Sequence, residues 1–123
     1  MSDRVVNIRL GEPFDVYIGR AGRGFDGRFG NPYPVGQTCS RCGERHARGG
    51  DTLGCFRACL VDRAQRDPGW RNELLALRGK TLGCFCAPPG GLTAEDELRC
   101  HGQIILRWLD EQERAAKARL AKS

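Results

Sequence analysis

Long apolar runs are missing from this chain of 123 residues. No stretch approaches the roughly 18 residues that a membrane span needs, so no membrane association is expected. The opening residues, Met-Ser-Asp-Arg-Val-Val-Asn, lack the apolar stretch of a secretory signal, and a reducing cytoplasm is the expected compartment. Lysine is scarce: Lys80, Lys117 and Lys122 are the only ones among 20 basic residues. The rest are arginines, whose planar fork suits phosphate contact. No polybasic block and no internal repeat occurs. The net charge of +5 is spread along the chain, with 8 basic and 5 acidic residues before position 51 and 12 and 10 after it. Charge alone is therefore a weak pointer to nucleic acid. Hydrophobic residues at 40% and charged residues at 28% fit a folded chain of one domain, residues 1–123.

Two early segments alternate. Val6, Ile8 and Leu10 share one side of residues 5–10, and Phe14, Val16 and Ile18 share one side of residues 14–18. Both are expected as strands. Gly11-Glu12-Pro13 between them is too short for a crossover helix, so an antiparallel pair is expected. Residues 19–36 form a long glycine-rich loop with Arg20, Arg23 and Arg28, ending in Asn31-Pro32-Tyr33-Pro34. Loops of that length in a compact domain are usually functional. Asp51 is the expected N-cap of a helix carrying Leu53, Phe56, Leu60 and Ala64, which ends near Asp67-Pro68-Gly69. A short helix over 70–78 closes at Gly79, and a strand spans 80–86. Thr93 to Asp96 cap a turn. A last helix starts near Gly102, with Ile105, Leu109, Gln112 and Ala116 inward and a charged tail, residues 113–123, that frays. The expected fold is α/β: a small sheet flanked by about three helices, with a zinc-knuckle excursion over 37–59.

The excursion follows from the cysteines, seven in all. In a reducing compartment clustered cysteines point to metal or catalysis rather than to disulfides. Cys39-Ser40-Arg41-Cys42-Gly43 is a tight knuckle. Cys55 and Cys59 are spaced i, i+4 on one face of the expected helix. This is the ligand pattern of a zinc site drawn from Cys39, Cys42 and two of Cys55, Cys59 and His46. Polar residues 37–54 cannot bury a core, and a metal supplies the ordering energy instead. The bland alternative makes Cys55 and Cys59 ordinary core residues. A second cluster joins Cys84 and Cys86, on one face of a strand, to Cys100 and His101 at the start of the last helix. It reads as a second metal site, as a nucleophile or acid–base group beside an anion, or as buried core cysteines.

Several motifs occur in order: Phe14-Asp15-Val16-Tyr17-Ile18-Gly19-Arg20, Gly30-Asn31-Pro32-Tyr33, residues 77–88 around Gly83-Cys84-Phe85-Cys86, and Cys100-His101-Gly102. Over roughly residues 8–110 the chain resembles a small domain family of unknown function found in bacteriophages and actinobacteria. This sequence has Phe29 where that family has tryptophan, a longer gap between Cys86 and Cys100, and the Cys39–Cys42 knuckle as an insertion. The resemblance implies a fold and a candidate pocket, and no reaction.

The matched polar residues suggest a site at strand ends. Asp15, His101 and Cys100 are the candidate catalytic groups, and Tyr17, Arg20, Asn31, Cys84 and Cys86 the candidate ligand-binding ones. Three functions compete. The first is a zinc-binding, phage-type accessory domain that binds or processes a nucleotide or nucleic acid through its Gly/Arg-rich loop, in host cytoplasm if phage-encoded. The second is a non-catalytic zinc-stabilised module binding nucleic acid or a host protein. The third is a scaffold with zinc for stability only.

Overall fold

The computed structural model describes residues 3–19, 29–30, 38–39, 42–43, 45, 52–85 and 87–121. Four short strands form one mixed sheet: β1 (Arg4–Asn7), β2 (Val16–Tyr17), β3 (Leu82–Cys84) and β4 (Leu92–Thr93), in the order β2-β3-β1-β4. Three helices accompany it, α1 (Leu53–Arg66), α2 (Pro68–Leu75) and α3 (His101–Ala121). The fold is α/β, as the alternation of segments implies.

The pairing of the first two strands differs from the expected hairpin. β1 and β2 both run parallel to β3, which lies between them, with Val6 and Tyr17 each opposite Gly83. After Asn7 the chain leaves the sheet in a 3-10 turn, Ile8–Leu10, and crosses the outer face of β3. Gly83 makes that crossing possible. A Cβ there would lie 2.7 Å from Ile8 Cγ2 and from Phe14 Cγ. Parallel connections normally need a dozen or more residues. Here the strands are so short that residues 8–15 suffice. Leu10 and Phe14, which the alternation places beside Val6 and Ile18 on one side of the expected strands, lie exposed on that crossover. β4, which shows no alternation long enough to read, pairs antiparallel to β1 through Arg4–Thr93 and Val5–Leu92.

The core lies between the helices and the other face of the sheet. Leu53, Phe56, Leu60 and Ala64 of α1 are buried, as their helical spacing requires. Asp51, expected as the cap of α1, lies outside the described residues; Thr52 holds the N-cap position, and its side chain makes no capping bond. Asp67 caps α2 by accepting the Trp70 amide at 3.0 Å, and Pro68 stands in the first turn, where no amide is needed. α2 thus starts two residues earlier than expected and ends at Leu75. α3 buries Ile104, Ile105, Leu106, Trp108 and Leu109 against Val5, Ile18, Leu82 and Cys84. The tail expected to fray is helical to Ala121. Arg78 pairs with Glu113 at 2.8 Å, and Arg57 with Glu111 at 2.9 Å. Among the described residues no helix is long and apolar enough to cross a membrane.

Candidate metal centre

Two pieces of chain build the centre. The first is a tight turn. Thr38 and Arg45 form an antiparallel bridge, and the Gly43 amide donates to the Cys39 carbonyl at 3.0 Å. Gly43 has φ 78°, a left-handed conformation that a side chain would resist, so glycine directly after Cys42 is what lets the turn close. The turn presents Cys39, buried, and Cys42, exposed. The second piece is the first turn of α1, which carries half-buried Cys55 beside the core residues Leu53 and Phe56.

The Sγ atoms of Cys39, Cys42 and Cys55 all lie within 4.8 Å of one another. Cys39 and Cys55 are 3.7 Å apart. In a tetrahedral zinc site with Zn–S of about 2.3 Å, neighbouring sulfurs are about 3.8 Å apart. The donors and their spacing therefore fit a soft divalent ion. The electrostatics agree. Partial burial and the neighbouring Cys39 and Cys42 thiols push the Cys55 thiol up to about 11. The crowding holds the Cys55 thiol protonated without a cation, and an ion among the sulfurs reverses that preference. The N-terminal turn of α1 holds no acidic side chain, so negative sulfur there also meets the positive end of the helix.

The other sequence candidates divide. Cys59 is outside the group of three: four residues of α1, about 6 Å of rise, separate it from Cys55. His46, Arg20, Asn31 and Cys86 lie outside the described residues. Cys84 and Cys100 do meet, at 3.2 Å, in the core. His101 Nε2 is 2.8 Å from the Ile18 carbonyl oxygen, and its ring stands edge-on to Phe56 at 5.5 Å. Asp15 serves the sheet. Its carboxylate accepts the Thr81 amide at 2.8 Å, and its own amide donates to the Thr81 carbonyl at 2.8 Å, which ties the edge strand to β3. Tyr17 stands edge-on to Phe85 at 5.8 Å.

One residue escaped sequence reasoning. Gln103, 0% exposed, accepts from the Arg99 and Cys100 amides at 2.6 and 3.0 Å. Its amide donates to the carbonyls of Thr93, Asp96 and Glu97. It therefore organises the loop that delivers Cys100 and His101. Cys100-His101-Gly102-Gln103 is a capping box with cysteine in place of serine, and that spacing is the signal by which the sequence could have revealed it.

A mixed-sheet α/β domain with a three-cysteine centre defines the class. The chain belongs to the family described as a domain of unknown function (DUF4326), whose model matches residues 6–111. No curated protein matches the chain. No solved structure matches it either.

Proposed function

We propose that the chain is a zinc-stabilised domain that binds or processes a nucleotide or nucleic acid through the glycine- and arginine-rich residues 19–34. The observation that carries the zinc half is the gathering of Cys39, Cys42 and Cys55 within 4.8 Å of one another, with Cys39 and Cys55 3.7 Å apart. For a fourth ligand the sequence offers His46, and Cys59 remains as the alternative. When bound, zinc supplies ordering energy to a polar excursion that has little apolar surface of its own.

Two observations support the nucleotide half. β1, β2 and β3 run parallel, and ligands of open α/β sheets bind beyond the carboxyl ends of such strands. Residues 19–34 depart from the carboxyl end of β2, where His101 is bonded to Ile18. Within them Gly22, Gly24 and Gly27 have the G-x-G-x-x-G spacing of phosphate-binding loops. That spacing is common by itself. Arg20 is the anion clamp in this reading, and Asn31 a base or ribose contact. The bacteriophage-type setting and a catalytic role for Asp15 or His101 belong to the same reading.

Metal analysis of protein purified without chelator tests the first half, with one zinc per chain expected. Nucleotides and single-stranded oligonucleotides test the second. A raised thermal midpoint, or affinity falling steeply with salt and lost in Arg20→Ala, is expected. Zinc without any such ligand leaves the scaffold reading.

A further inference from the structure

Cys84 and Cys100 stand apart from the metal centre. Their Sγ atoms are 3.2 Å apart, and the two residues are 0% and 1% exposed. This is shorter than the sulfur–sulfur edge of about 3.8 Å around zinc. It exceeds a disulfide bond, about 2.05 Å, by only about 1.1 Å. Cys84 ends β3, and Cys100 immediately precedes α3.

We propose that Cys84 and Cys100 form a redox modification site, a buried dithiol that hydrogen peroxide converts to a disulfide. Cys100 is the attacking sulfur. The Gly102 amide donates to its Sγ at 3.4 Å, so negative charge on that sulfur meets a donor at a helix N-terminus. The Cys100 thiolate attacks one peroxide oxygen; an S–O bond forms, the O–O bond breaks, and hydroxide leaves and takes up a proton. The Cys84 thiolate then attacks the Cys100 sulfenic sulfur; the S–S bond forms, the S–O bond breaks, and a second hydroxide leaves as water. Two thiols are oxidised, one peroxide is reduced to two waters, and both thiol protons end in water. The bond joins the end of β3 to the start of α3, and so fixes His101 against Ile18. Cytoplasmic disulfides, where they occur, are mostly transient and redox-sensing. The site does not depend on the zinc or nucleotide readings.

The test uses the full chain loaded with zinc and treated with hydrogen peroxide, then alkylated and weighed. A loss of about 2 Da per chain before alkylation, labels missing from Cys84 and Cys100 after it, a Cys84–Cys100 linked peptide and reversal by dithiothreitol are expected. The oxidised form should melt at least about 5 °C higher, because the bond closes a loop in the unfolded chain. Cys84→Ser should abolish the mass loss and leave a sulfenic acid on Cys100 that dimedone traps. Should that variant misfold, the peptide map of the wild-type chain decides alone. Full alkylation of both residues after peroxide treatment and denaturation would overturn the proposal. So would linkage of either residue to Cys86, or a second zinc ion protecting both.

Discussion

Gly102→Ala tests how tightly the start of α3 is seated. An added methyl would meet Val5 Cγ2 at 2.7 Å, Val5 Cβ at 3.0 Å and Ile18 Cδ1 at 3.1 Å. Val5 and Ile18 are both 0% exposed, so neither side chain has room to swing away. Helix propensity favours alanine over glycine by about 1 kcal/mol. Overpacking of a filled core costs about 1–3 kcal/mol. The second effect wins, and a net loss of about 1 kcal/mol is expected from these two terms. Gly83→Ala is the control. Its closest approaches, to Ile8 Cγ2 and Phe14 Cγ, are also 2.7 Å. There, however, Ile8 is half-buried and Phe14 is 37% exposed, so both can yield toward solvent. Alanine also gains roughly 0.5–1 kcal/mol of backbone entropy over glycine, so a loss smaller than that at Gly102 is expected. Urea unfolding of both variants measures the difference. The reasoning fails if Gly102→Ala is as stable as the wild type, or if Gly83→Ala is the more damaging of the two.

Ligand identity is tested by zinc content: Cys39→Ser, Cys42→Ser and Cys55→Ser should each lose the ion, whereas either His46→Ala or Cys59→Ser, but not both, should retain it. Zinc uptake should release protons and weaken as pH falls, because thiols must ionise to bind; an indicator-dye titration near pH 8 measures this. The metal-free fold should behave oppositely at high pH. Its Cys55 thiol holds a proton up to about 11, so the unfolded chain ionises first and stability falls as pH climbs from the ordinary thiol range toward that value. Denaturation of metal-free protein between pH 8 and 11 would show no slope from this residue if the crowding is absent. Gln103→Leu should cost at least about 3 kcal/mol, since it strips partners from the Arg99 amide, the buried Cys100 amide and three carbonyls. A loss under about 1 kcal/mol in thermal unfolding would refute that role.

Local patterns were legible in the sequence where one short-range rule decides the outcome. Leu53, Phe56, Leu60 and Ala64 had to share a helix face because 3.6 residues make a turn, and they are the buried face of α1. Asp67-Pro68 had to break the chain, and it caps α2. Cys39-x-x-Cys42-Gly43 had to form a tight turn with two sulfurs on one side. Tertiary structure decided what depends on distant partners. The spacing of Cys55 and Cys59 on α1 does not say which sulfur reaches the knuckle; the placement of the helix brings Cys55 within 4.8 Å of Cys39 and Cys42. The parallel order of β1 and β2 follows from β3 entering between them, from more than sixty residues away in the chain, with Gly83 making room for the crossover. The meeting of Cys84 with Cys100 likewise required α3 to close onto Val5 through Gly102. Periodicity and turn chemistry act over a few residues, whereas strand order and sulfur pairing are set by which distant surfaces pack.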